Sequence, residues 1–298
     1  MRPLRNLGLF FLLAALWGFS FPAISAGLEA LPPLLFAALR YDVGGVVLLA
    51  FLAARGADWR PRTGEDALAI LIAGAFLIAG NSLLFVGQQT VPSGVAAIIY
   101  ALIPVLTTAL AAVLLPAEPL SARRIVGVAL GLVGVAVIAR PDPDGLLSAQ
   151  LVGVAFVVAA ALSVALGSVL LRRRTPTVGV APMTAWAMVV GGLLLHAGSF
   201  VAGERLAHAT PSAVAVVSVV YLAVFASAVG YVIYFTLLER FGPLEINLVS
   251  YVVPVVATLG GIALLGETLT AGMVAGFVLI ASGFVVIKAR TIADELGR

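Results

Sequence analysis

From Leu7 onward the chain is a succession of apolar runs, each close to the length of a bilayer crossing and separated from the next by a short polar break. A spanning helix needs roughly 20 apolar residues to cross about 30 Å of hydrocarbon. The runs occupy residues 7–28, 33–54, 67–88, 92–115, 122–139, 151–171, 180–201, 214–238, 243–266 and 271–287. Period-two alternation is absent, and the runs far exceed the roughly ten-residue strands of a membrane barrel, so helices are the form that satisfies the backbone in lipid. The expected fold is an all-α integral membrane protein with ten transmembrane helices. The fifth and tenth runs are the shortest and call on Arg124, Arg140, Lys288 and Arg290 as snorkelling anchors. Composition agrees: of 298 residues 62% are hydrophobic and 10% charged, with mean hydropathy +1.17, which leaves little chain for a soluble domain. The first run follows Arg2 and Arg5 but is longer than a signal-peptide core and contains Trp17 and Pro22, so it reads as a retained helix.

Net charge is +3, and its distribution matters more than its size. With ten spans both termini share one side of the membrane, and placing them in the cytoplasm puts fourteen of the seventeen basic residues there. Arg140 and Arg205 fall outside, and Arg40 lies within a span. The expected location is the plasma (inner) membrane, multi-pass, with cytoplasmic termini. The basic balance is thus topological, and no nucleic-acid partner is expected. Without cysteine there are no disulfides, thiolate catalysis or cysteine–metal sites, and two distant histidines, His196 and His208, make no metal centre.

The chain repeats itself. A shift of 150 residues lays Val95–Leu115 over Glu245–Leu265 and aligns Pro104 with Pro254, Gly80 with Gly230 and Phe85 with Phe235. After a one-residue slip, Glu118–Ile138 matches Glu267–Ile287 at eight of twenty-one positions, including Glu118/Glu267, Gly127/Gly276 and Gly134/Gly283. The unit has five helices, an odd number, so the second copy enters the membrane from the opposite face and the two form an inverted repeat. The expected organisation is a first five-helix repeat at 7–139, an extracytoplasmic linker at 140–150, a second repeat at 151–288 and a cytoplasmic tail at 289–298. Two rocking arrangements of similar energy, one open to each side, follow from that symmetry.

WGFSFPAI (Trp17 to Ile24), ALRYD in the second span, IPV in the fourth followed by AEPLS, and the later VPV with GETLT resemble the ten-helix drug/metabolite transporter superfamily of the EamA type. The resemblance covers essentially the whole chain as two tandem EamA domains. It implies transport of small molecules, usually export of metabolites, amino acids or toxic compounds, through a central cavity between the halves. Gly18-Phe19 stands where amino-acid exporters of the superfamily often carry Ser-Thr.

Pro104 and Pro254 lie near the centres of their spans, and each leaves the carbonyl four residues earlier, of Tyr100 or Ser250, without its helical donor. Such midplane helix breaks are tolerated where they face protein or a wet cavity, and transporter sites are commonly built there. Polar stripes surround them. Asn247, Tyr251, Pro254 and Thr258 share one helical face, as do Tyr100 and Thr107, then Asn81, Phe85 and Gln88, then Ser227, Tyr231 and Tyr234. Trp17 and Ser20 in the first span and Ser163 in the sixth complete the candidate cavity. Each of these polar groups could equally serve an interhelical hydrogen bond.

Aromatic rings with a few hydroxyls and amides suit a neutral, zwitterionic or cationic organic molecule. Arg40 leaves an anion open. Arg40 and Asp42 are the clearly intramembrane charges, and two residues apart on a helix they point away from each other, so each seeks another helix or the cavity edge. Asp42 is the deep carboxylate available for proton coupling; a structural contact is its other reading. Glu118 and Glu267 fit helix ends, where a carboxylate caps free N–H groups. Gly127 and Gly131 would let two helices approach closely, within the chain or between the copies of a homodimer. Absence of a phosphate-binding loop or catalytic dyad argues against a pump or an enzyme, and no cofactor is expected. A channel, a scaffold, and an importer or exchanger of the same fold are the alternatives to an exporter.

Overall fold

The computed structural model describes residues 2–115, 121–139, 148–210, 212–241, 246 and 248–296. The apolar runs are helices there: α1 (Arg5–Leu28), α2 (Pro33–Ala54), α3 (Gly64–Gly87), α4 (Ser93–Leu114), α5 (Ala122–Ala139), α6 (Ala149–Leu171), α7 (Val180–Val201), α8 (Ala213–Phe241), α9 (Val249–Leu265) and α10 (Ala271–Leu296). Eight are long and apolar enough to cross a membrane, and the shorter apolar stretches of α9 and α10 complete ten. The sequence marks the fifth and tenth runs as short, yet α10 continues as helix to Leu296 and α9 is the shortest of the described helices. Glu118, Asn247 and residues 140–147 of the expected linker lie outside the described residues.

The exterior is apolar and the polar groups lie inside, the reverse of a soluble protein. Phe200, Val201, Leu264, Leu193 and Val46 are more than 60% exposed, a surface suited to lipid tails. Polar residues at the helix ends close the loops. Thr63 and Asp66 form a capping box at the start of α3, each side chain bonded to the other's backbone N–H at 3.0 Å. Gly266, at φ 67°, ends α9 in the left-handed region that favours glycine. That turn aims Glu267 at α4, where its carboxylate accepts the N–H groups of Ser93 (2.6 Å) and Gly94 (3.1 Å). The helix-end role read for Glu267 is therefore exercised on a helix of the other repeat.

The packing reproduces the repeat. α5 lies against α10, α2 against α7, and α4 against α9. α1 packs on α8 and α9, as α6 packs on α3 and α4. The architecture is thus two inverted five-helix repeats, each docking its first helix onto the other. Small residues allow the closest approaches: a Cβ on Gly127 would lie 2.5 Å from the Gly283 carbonyl oxygen, and one on Gly134 2.8 Å from that of Gly276. Gly131 abuts Leu102, its would-be Cβ 2.4 Å from that side chain. The Gly127 and Gly131 face is therefore filled within the chain and is not free to join a second copy.

The two repeats share a feature with no sequence signature. α3 passes through a π-helical stretch at Ala73–Ala79 and α8 through one at Tyr221–Val229, each ending just before the matched glycine, Gly80 or Gly230. π-turns widen the helix and misalign carbonyls. Phe76 in α3 accepts the Ser163 hydroxyl at 3.0 Å, and Ala226 in α8 accepts the Trp17 indole N–H at 3.0 Å. The two acceptors are separated by the repeat distance, and each donor comes from the first helix of the opposite repeat. Only glycine fits beneath them: a Cβ on Gly80 would lie 1.9 Å from Ser163 Oγ, and one on Gly230 2.8 Å from Trp17 Nε1.

Candidate functional site

The two prolines behave differently. α4 is interrupted at Ala101 and Leu102, and Pro104 is the second residue of the helix that resumes at Ile103, where its missing N–H costs nothing. Pro254 lies inside the continuous helix α9, so the pair of matched breaks expected from the sequence becomes one break and one in-helix proline. At the break the Leu102 N–H bonds three residues back to Ile99, tightening the chain before Pro104. In α1, Pro22 removes the donor for the Gly18 carbonyl, and the helix has a turn at Phe19.

A cavity of about 240 Å³ opens at the α4 break. Its walls are Trp17, Ser20, Phe21 and Ile24 of α1; Arg40 and Tyr41 of α2; Leu77, Asn81 and Leu84 of α3; Ala97, Tyr100, Ala101 and Ile103 around the break; and Val164, Tyr231, Ser250 and Val253 of the second repeat. Both repeats contribute, the first more than the second. The volume falls just below the about 300–1,000 Å³ usual for small-molecule pockets, so the occupant is small.

Three polar groups of the wall hold one another. Tyr100 donates its hydroxyl to Asn81 Oδ1, and Asn81 Nδ2 donates to the Tyr41 hydroxyl at 2.8 Å. Ser20 donates to the Leu16 carbonyl at 2.9 Å. The Trp17 ring sits 5.8 Å from Tyr231 and 5.4 Å from Tyr234, and Phe21 meets Tyr100 edge-on at 5.8 Å. Arg40 donates from Nε to Ser227 Oγ at 3.1 Å, with its guanidinium 4.9 Å from the centre of the Tyr41 ring. Tyr41 was not singled out from the sequence, although ALRYD holds it beside the one intramembrane arginine.

The remaining candidates stand behind or away from the cavity. Phe85 is fully buried edge-on to Phe36 and lies 6.0 Å from the Arg40 guanidinium. Gln88 fixes α1 by donating to the Phe21 carbonyl and Ser25 Oγ, both at 3.0 Å. Ser163 serves the Phe76 carbonyl, and Tyr234 backs Trp17. Thr107 is not in the wall; Thr258 lies against Gly94 at the start of α4, and Tyr251 packs on Phe284 at 4.9 Å with a buried, unpartnered hydroxyl. Asp42 points the other way from Arg40, as the spacing requires, and meets His196 Nε2 at 2.7 Å on a partly exposed face. No group of three or more metal-ligating side chains occurs among the described residues.

Two stretches, residues 5–140 and 151–289, each match the model of the EamA-like transporter family. The chain belongs to that family. A relative from Escherichia coli K12, the uncharacterized inner membrane transporter YedA, is 35% identical over 88% of this chain and 84% of its own. A probable amino-acid metabolite efflux pump of Salmonella typhimurium is 29% identical over 92% of both chains. A solved crystal structure 22% identical to this chain covers 99% of both with a TM-score of 0.65, which establishes the common fold. This EamA protein is a multi-pass membrane transporter, not an enzyme.

Proposed function

We propose that this protein is a secondary transporter or facilitator that exports small organic metabolites, amino acids or amines among them, by alternating access around the cavity at the α4 break. The observation that carries the reading is a small cavity walled by both inverted repeats, with Asn81, Tyr100, Tyr231 and Arg40 facing it. The efflux-pump name of the Salmonella relative supports the direction, and the inner-membrane name of the Escherichia coli relative supports the location. The distribution of arginine supports cytoplasmic termini. Inverted repeats supply two related closures, one at each end of the bundle, as alternating access requires.

Purified protein in liposomes loaded with an unlabelled amino-acid mixture should accumulate labelled amino acids by saturable counterflow. Asn81→Ala and Tyr231→Ala should each lower that flux about tenfold, the scale of losing a buried hydrogen bond or wall contact, at equal amounts of inserted protein. Uptake that rises linearly without saturation would reject transport by alternating access. Unaltered flux in both variants would remove the cavity as the route.

A further inference from the structure

Arg40 is 8% exposed within the second span, and no carboxylate pairs with it among the described residues. Asp42, its nearest carboxylate in sequence, is held by His196 on another face. One of its five N–H donors, on Nε, is taken by Ser227. A buried guanidinium without a counter-charge is costly, and charged groups at membrane depth are retained where they pair with something. Asn81, Tyr100 and Tyr41 bond to one another and Ser20 bonds to its own helix, while the Tyr231 and Ser250 hydroxyls have no bond among the described residues; Arg40 is the charged group of the wall, and its terminal N–H donors are to spare. The rest of the wall is aromatic and aliphatic.

We infer that the substrate supplies the missing charge: it carries a carboxylate that Arg40 receives through its terminal nitrogens, on a small apolar body that lies against Trp17, Phe21 and Tyr231. Tyr41 beneath the guanidinium and Ser227 on Nε fix its plane, leaving the terminal N–H fork to meet both oxygens of a carboxylate. One cation matches one negative group, so multiply charged anions fit poorly. A cation without a carboxylate is repelled. This inference rests on the cavity being the transport site and narrows the substrates proposed for it.

The test is a thermal-shift and calorimetric comparison of phenylpropionate, isocaproate, phenylpropionamide and phenethylamine on the purified protein. The two carboxylates should bind, and the uncharged amide of the same shape and the amine should bind at least about 30-fold more weakly, as expected for a lost charge-assisted pair. Arg40→Gln should lose the preference for acid over amide, and Arg40→Lys should keep a reduced one. The wild-type comparison stands even where a variant does not fold. Equal binding of amide and acid, stronger binding of the amine, or no response to either carboxylate would overturn the inference. Carboxylate binding without saturable counterflow would instead overturn the transport reading and leave the Arg40 assignment intact; saturable flux of phenethylamine alone would do the reverse.

Discussion

Replacing Asp66 with alanine is expected to lower the midpoint of thermal unfolding by roughly 10 °C, with Asp66→Asn recovering part of the loss. Asp66 is fully buried at the start of α3 and accepts backbone N–H groups from Arg62 (2.9 Å), Thr63 (3.0 Å), Thr177 (2.6 Å) and Val178 (2.9 Å), plus the Thr177 hydroxyl. Alanine strands all four backbone donors, whereas asparagine keeps one acceptor oxygen. Because Thr177 and Val178 belong to the connection between α6 and α7, the substitution also unties one repeat from the other. Thermal unfolding in a single detergent checks this, and coincident melting of Asp66→Ala and the parent would show that water replaces the carboxylate without loss.

The second large effect is expected where α5 meets α10. A methyl on Gly127 would collide with the Gly283 carbonyl at 2.5 Å, and one on Gly283 with that of Gly127 at 2.5 Å, so backbone must give way. Gly127→Ala and Gly283→Ala should each cost about 1–3 kcal/mol, the scale of overpacking, and valine should cost more. Gly8→Ala is the control, because a Cβ there meets nothing within 4 Å. Equal melting of Gly127→Ala and Gly8→Ala would mean that the two helices part at no cost.

The number of helices, the inverted repeat and the membrane setting were legible in the sequence because each rests on many residues at once: apolar run length, basic-residue asymmetry and matched Gly, Pro and Glu. The contents of the cavity were only partly legible. Helical spacing assigns residues to a face, as with Asn81, Phe85 and Gln88, but not to a neighbour, and these three respectively face the cavity, pack beneath Arg40 and tie down α1. Gly127 could not be assigned because a close-approach glycine looks the same whether its partner is in the same chain or another. Asp66 escaped notice because an acidic residue in a first helical turn is ordinary; its partners, 111 and 112 residues away, make it exceptional. The π-stretches left no trace in composition, since Ala73–Ala79 and Tyr221–Val229 contain the same residue types as the α-helix around them.

The reciprocal bonds from Trp17 to Ala226 and from Ser163 to Phe76 bear on how the chain assembles. Each half holds the donor that completes the other's widened helix. Neither bond forms until both halves are in the membrane, so the last five helices complete the first five as much as they depend on them. The cavity wall has no such balance: its arginine stands on one side, and no arginine of the second repeat faces it.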